Sequence, residues 1–237
     1  MIFNPNSDNS FCPWGSSARF HDRLQAADQL VKQLSEYQGK NPLVLGIPRG
    51  SVPMAKKIAD ELGGELDVVL VHKIGAPDNP EFAIGSVSEF GELYRSDTLG
   101  GFGIPRGYIE SVAQSEIAKL KARRSNYSPI RPPINPQGRT VIIVDDGIAT
   151  GATVLAAIRA IRSQHPKKII IAAPIASPRT VDRLRSEVED LIVLETPLDF
   201  FSISQFYDEF PQVTDEEVLQ ALAESQSSRG EPQRIAS

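Results

Sequence analysis

The segment Val141-Ile-Ile-Val-Asp145-Asp146-Gly147-Ile148-Ala149-Thr150-Gly151-Ala152-Thr153 passes from an apolar run through paired acids and two glycines into a helical pattern. Each part has a chemical use. Gly147 and Gly151 let the backbone turn sharply and come close to a ligand. The N–H groups that open a helix have no intrahelical acceptor and point at whatever anion lies ahead of them. Thr150 and Thr153 add hydroxyl donors. This is a cup for a phosphate, and because it carries no lysine it suits a terminal monoester rather than the β/γ phosphates of a nucleoside triphosphate. Asp145 and Asp146 stand a few residues away, and ionised carboxylates accept hydrogen bonds from a vicinal diol. A phosphate and a diol one sugar apart describe ribose 5-phosphate. Paired aspartates after a strand also suit a solvated turn; the attached Thr-Gly-Ala-Thr cup is what favours the sugar phosphate. An apolar strand ending in acids also fits a Walker B segment, but that requires a Gly-x-x-x-x-Gly-Lys-Ser/Thr loop, and the sequence has none.

A second candidate is Pro48-Arg49-Gly50-Ser51, which follows the apolar run Leu43–Ile47 and precedes a helical pattern with Ala55, Ile58, Ala59 and Leu62 on one face. A guanidinium and free helix-opening N–H groups would converge there, which fits a second anion; the alternative is a plain turn with Arg49 in solvent. Weaker candidates follow. Phe200, Phe201, Phe206, Tyr207 and Phe210 cluster near the C-terminal end, where aromatic faces could stack on a flat acceptor or form core or the subunit interface of a homo-oligomer. His21, His72 and His165 are too scattered for a metal site. The run Lys119–Arg124 reads as a solvated helix end that favours the dipole.

The elements that must position these loops alternate. The periodicity predicts a helix over Phe20–Tyr37, strand Leu43–Ile47, a helix, and strand Val68–Val71. A polar loop Ile74–Phe82 and a hairpin of Ile84–Ser88 with Leu93–Arg95 come next. Tyr108–Arg124 reads as a surface helix and the proline-rich Ser128–Gly138 as a connector. Strand Val141–Val144, helix Val154–Ile161, strand Ile169–Ala173, helix Val181–Val188, strand Leu191–Leu194 and helix Asp215–Ala223 complete the chain. Strands alternating with helices predict an α/β fold, a parallel sheet with helices on both faces. Ligands in such sheets bind outside the carboxyl ends of the strands, where both candidate loops lie.

Residues 1–19 read as a flexible tail, 20–224 as one domain and 225–237 as a second flexible tail. The net charge of −5 and pI near 5.3 argue against a general nucleic-acid binder. Cys12 is the single cysteine, so an intrachain disulfide and a thiolate cluster are excluded. That fits a reducing compartment, and the cytoplasm is the expected location. No stretch approaches the ~18 apolar residues of a membrane span, and the polar N-terminus has neither the basic nor the apolar region of a secretory signal.

The apolar strand, two acids, short loop, and Thr-Gly with a hydroxyl residue opening a helix resemble the 5-phosphoribosyl 1-pyrophosphate (PRPP) signature of the type I phosphoribosyltransferases. The resemblance extends over roughly residues 20–212, since Gly46-Ile-Pro-Arg-Gly-Ser51, His72-Lys-Ile-Gly75 and the order of elements are also similar to that family's. Within it the chain looks most like the subgroup of predicted phosphoribosyltransferases. The resemblance implies a small hood, a mobile flap loop over Ile74–Phe82, and a reaction in which an acceptor, a nitrogenous base, displaces pyrophosphate from PRPP with Mg²⁺. By the same token Asp145 and Asp146 would hold the ribose hydroxyls and Mg²⁺, and Ala149, Thr150, Gly151, Ala152 and Thr153 the 5-phosphate. Arg49, Gly50, Ser51 and Lys73 would hold pyrophosphate, with Arg49 and Lys73 stabilising the leaving anion. One position departs: many purine transferases of the family have an aspartate where this chain has Ala149. Either the acceptor needs no proton acceptor there, or another residue such as Glu81 supplies it, or the protein is a noncatalytic PRPP sensor. A nucleic-acid regulator on the same fold would need a basic face that the composition does not provide.

Overall fold

The computed structural model describes residues 19–95, 104 and 106–227, with the side chains of 80, 81, 106, 226 and 227 outside the description. Five strands form one parallel sheet: β1 (Leu43–Gly46), β2 (Glu65–Val68), β6 (Thr140–Val144), β7 (Lys168–Ile175) and β8 (Asp190–Glu195), in the order β2-β1-β6-β7-β8. Their apolar runs are near continuous because both faces are covered. Ile142, Val144, Ile170 and Ala172 point into one core with α1 (Arg23–Gln33), α2 (Val52–Leu62) and α6 (Asp215–Ser227). Val141, Ile143, Ile169, Ile171 and Ala173 alternate into a second core with α4 (Ala152–Arg162) and α5 (Pro178–Arg185). The predicted α/β sheet with helices on both faces is the observed fold.

The chain leaves β1 to one side for β2 and later returns on the other side as β6. The crevice between the carboxyl ends of β1 and β6 is therefore the topological switch point of the sheet. The two candidate loops follow these two strands.

A smaller antiparallel sheet, β3 (Val71–Ala76), β4 (Asn79–Ser88) and β5 (Leu93–Arg95), lies under α3 (Arg106–Tyr127). It corrects three expectations. The predicted single strand Val68–Val71 is the junction of two strands in different sheets, separated by Val69 and Leu70. The expected polar loop Ile74–Phe82 is mostly strand, with only Pro77 and Asp78 at the tip of a β-hairpin arm. Lys119–Arg124 is no simple solvated helix end: Arg124 is buried and donates to Asp67, Glu89 and the carbonyl of Val68.

Helix boundaries also moved, the expected helix Val181–Val188 by three residues to α5 (Pro178–Arg185). The first helix starts at Arg23 because Asp22 caps it, its carboxylate accepting from the Gln25 N–H at 2.7 Å. The last runs to Ser227 with Ser225 buried, so helix occupies the first residues of the segment 225–237 expected to be a flexible tail. Arg19, the last residue of the other expected tail, donates its N–H to the Phe206 carbonyl. Tail residues 1–18 and 228–237 lie outside the described residues.

Candidate functional site

At the switch point, Ile47–Gly50, Asp145–Gly151, Thr153, Val154 and Ile203 enclose a cavity of about 300 Å³. Two helices begin at its wall. No side chain caps α2, because the buried Ser51 hydroxyl donates to the Ile47 carbonyl at 2.7 Å. None caps α4 either. At α2 the Val52 N–H donates to the Arg49 carbonyl at 3.1 Å and Pro53 has none, so the free helix-opening donors expected after Arg49 are not there; α4 leaves its leading N–H groups to the cavity, at the positive end of its dipole. Gly151 sits at φ 71°, a left-handed conformation that starts α4 directly after the turn. A side-chain carbon there would meet the Thr180 methyl at 2.6 Å.

Of the residues singled out from the sequence, Arg49, Gly50, Asp145, Asp146, Ala149, Thr150, Gly151 and Thr153 line this cavity. Three do not. Ser51 is buried with its hydroxyl engaged, and Ala152 faces a neighbouring cleft. Lys73 lies in mid-strand on β3, opposite Ser86 of β4, instead of at a strand end. The Glu81 side chain falls outside the described residues. Arg49, 42% exposed in its side chain, donates to Asp215 on α6 at 3.4 Å.

The acid pair is the electrostatic centre. Burial pushes the Asp145 carboxyl well above the ordinary carboxylate range, and the neighbouring Asp146 charge adds to that. Burial also raises Asp146, opposed by the guanidinium of Arg23. That guanidinium donates from Nε to Asp146 Oδ2 at 2.8 Å and from Nη1 to the Pro211 carbonyl at 2.7 Å, and it stacks 3.6 Å from the Phe210 ring centroid. The Tyr207 hydroxyl donates to the Asp146 carbonyl at 2.7 Å.

Phe206 and Tyr207 are therefore buried core, and Tyr207 and Phe210 support the Arg23–Asp146 pair. Phe201 of the same cluster is 88% exposed. Sequence reasoning missed Arg23, Ile203 and this support. One signal was present: Arg23 stands at the start of the apolar stripe Ala26, Ala27, Leu30, and a charge on such a stripe implies a buried partner.

Gly50 packs against the same pair. A Cβ there would lie 2.2 Å from Asp146 Oδ2 and 3.2 Å from the Arg23 guanidinium. The pinned carboxylate has little room to yield. Gly50→Ala is therefore expected to lower stability by about 1–3 kcal/mol, the usual range for overpacking, read as a lower urea midpoint with unchanged slope. An unchanged midpoint would mean that the 47–51 loop moves away freely.

Comparison with known proteins agrees with this architecture. A model of the phosphoribosyl transferase domain matches residues 16–211. A Mycobacterium tuberculosis (strain H37Rv) protein named "putative phosphoribosyl transferase" is 37% identical over 204 residues, covering 86% of this chain and 46% of that protein. The chain thus spans about half the length of the curated relatives it matches. A uracil phosphoribosyltransferase of Methanococcus maripaludis is 27% identical over 107 residues, 41% of this chain and 46% of that protein. The crystal structure of TT1426 from Thermus thermophilus superposes with a TM-score of 0.78 at 41% identity, over 87% of this chain and 98% of that one. The chain belongs to the phosphoribosyl transferase family.

Proposed function

We propose that this chain binds PRPP and Mg²⁺ at the switch-point cavity and transfers the phosphoribosyl group to a nitrogenous acceptor. The observation that carries this is the convergence on one cavity of the uncapped α4 N-terminus, the acid pair and the loop that bears Arg49. An anion-binding helix end, carboxylate acceptors for a diol and a guanidinium match a ligand with phosphate at C5, hydroxyls on the ring and pyrophosphate at C1. Among the described residues no group of three or more His, Cys, Asp or Glu could hold a metal. Asp145 and Asp146 fit Mg²⁺ nevertheless, since that ion is commonly held by one or two carboxylates together with substrate phosphates and water. Bound there, Mg²⁺ would neutralise charge on the leaving pyrophosphate.

The chain's own groups supply the rest. The 5-phosphate sits at the α4 N-terminus with Thr150 and Thr153, and the ribose hydroxyls donate to the acids. As the C1–O bond breaks, its electron pair goes to pyrophosphate, whose growing charge Arg49 stabilises. The acceptor nitrogen forms the new bond to C1 and releases its proton. For Arg49 this means exchanging Asp215 for a ligand oxygen. No such role is assigned to Lys73 by its mid-strand position.

PRPP with Mg²⁺ is expected to raise the melting temperature by about 5 °C or more at saturation, through binding to the folded state alone. Ribose 5-phosphate should do less. Calorimetric scans in which PRPP has no effect at millimolar concentration while ATP or NAD does would sink the reading.

The acceptor is constrained by Ala149, whose methyl lines the cavity and whose carbonyl accepts from Ser177 Oγ at 2.9 Å and Thr180 Oγ1 at 2.7 Å. It offers no proton acceptor, and general acid–base assistance is worth on the order of a hundredfold in rate. Hypoxanthine and guanine should therefore react at least about a hundredfold more slowly than an acceptor that is already anionic or readily deprotonated. Pyrophosphate release across a panel of purines and pyrimidines tests this, and rapid turnover of either purine would refute it. The missing group also favours a second reading, a PRPP-binding regulator without turnover. Pyrophosphate release with no base in the panel, together with tight PRPP binding, would select that reading.

A further inference from the structure

A second cleft, of about 570 Å³, opens between the hairpin arm and the helices α4 and α5. Phe82 lines it from the arm, Tyr94 from β5, Arg159 from α4, and Arg179, Arg183 and Glu187 from α5 and the turn after it. Three guanidiniums against one carboxylate make it basic in a chain whose net charge is −5. Among the described residues none of the three arginines has a carboxylate within ion-pair distance, whereas Arg23, Arg49, Arg124, Arg139 and Arg162 all do.

Arg159 and Arg183 sit in the last turns of their helices, where the dipole favours a cation, but Arg179 sits in the first turn of α5, where it does not. Arg179 and Arg183 are like charges at i,i+4, which repel by a few tenths of a kcal/mol. Arg159 is already oriented, its guanidinium stacked 3.1 Å from the Tyr94 ring centroid, so its N–H edge is held in place. Positive charge kept in this way, unpaired and preorganised beside aromatic surface, is suited to an anionic ligand with a flat ring.

We propose that this cleft is a second binding site, for a nucleoside diphosphate. Arg179 and Arg183 stand one helical turn apart, about 5.4 Å, a span that engages two linked phosphates better than one. Arg159 closes the third side. Phe82, 37% exposed, offers aromatic surface for the base. The site is separate from the switch-point cavity, since none of the three arginines lines that cavity. The two share a wall, because Thr180 lines the cleft while its hydroxyl holds the Ala149 carbonyl. The proposal does not depend on PRPP being the ligand of the first cavity.

The test is calorimetric titration of the full chain with ADP, GDP, AMP and inorganic phosphate. ADP or GDP should bind at least about tenfold more tightly than AMP, and inorganic phosphate more weakly still. Arg179→Ala/Arg183→Ala should weaken the diphosphate at least tenfold with little change in melting temperature, because both side chains are exposed; Phe82→Ala should weaken it about fivefold or more. Three outcomes would overturn the assignment: no diphosphate binding at millimolar concentration, inorganic phosphate binding as tightly as ADP, or ADP binding that survives the double arginine variant but is lost in Asp145→Asn/Asp146→Asn.

Discussion

Asp145→Asn is expected to raise the melting temperature at pH 7 and at the same time to weaken PRPP binding. Burial, and then the Asp146 charge, make the Asp145 carboxyl hold its proton more tightly in the folded chain than in the unfolded one. An acid with a raised folded-state pKa gives a native state that binds more protons, so stability falls as pH rises above the unfolded value of about 3.9. Asparagine carries no charge to desolvate and escapes that loss. The gain at pH 7 should be about 2–4 °C, the shift that roughly 1 kcal/mol produces in a chain of this size, and it should vanish below about pH 4, where both forms are neutral. Binding moves the other way, because a hydrogen bond to a charged group is worth about 1.5–3 kcal/mol, or about ten- to a hundredfold in affinity. Asp146→Asn differs in its effect on stability: it leaves the buried Arg23 guanidinium without its carboxylate and should lower the melting temperature. Scanning calorimetry at pH 4 and 7, with PRPP titrations, separates these effects. A lower melting temperature for Asp145→Asn with unchanged PRPP affinity would make Asp145 a structural residue.

The parts of this site that could be read from the sequence are local ones. Val141–Val144 and Ile169–Ala173 are legible because a parallel strand buried on both faces must be apolar at every position. The cup is legible because its glycines, hydroxyls and acids lie within nine successive residues, Asp145–Thr153. Arg23 was hidden by distance, lying 123 positions from Asp146, and only its place on an apolar stripe marked it. Lys73 was misplaced for a related reason: the apolar run around Val69 and Leu70 has no internal sign that the chain changes sheets there. A long-range partner makes the change. Glu89, at the end of the hairpin arm, accepts from the Leu70 N–H and donates its own N–H to the Leu70 carbonyl, each at 3.0 Å. The arm itself was read as a loop because its residues are polar, although antiparallel pairing between Val71–Ala76 and Asn79–Ser88 satisfies the backbone regardless of that polarity.

Arg124→Met should lower the unfolding free energy by about 3–5 kcal/mol, the usual consequence of removing one partner from a buried ion network. The Arg124 guanidinium donates to Asp67 Oδ1 at 2.8 Å, to the Val68 carbonyl at 2.6 Å and to both oxygens of Glu89. The two carboxylates are each 3% exposed, so methionine would leave them buried and uncompensated. They also anchor backbone at three joints: Asp67 accepts from the Val68 and Ile134 N–H groups, and Glu89 from that of Leu70. Loss of the hub should therefore loosen the junction of the two sheets beyond the global loss. Faster hydrogen exchange at Leu70 and Ile134 would report it. Arg124→Lys should recover little, since one ammonium cannot reproduce a planar fork that spans two carboxylates and a carbonyl. Urea unfolding of wild type and variant at pH 7 measures the loss, and equal midpoints would mean that the buried network contributes no net stability.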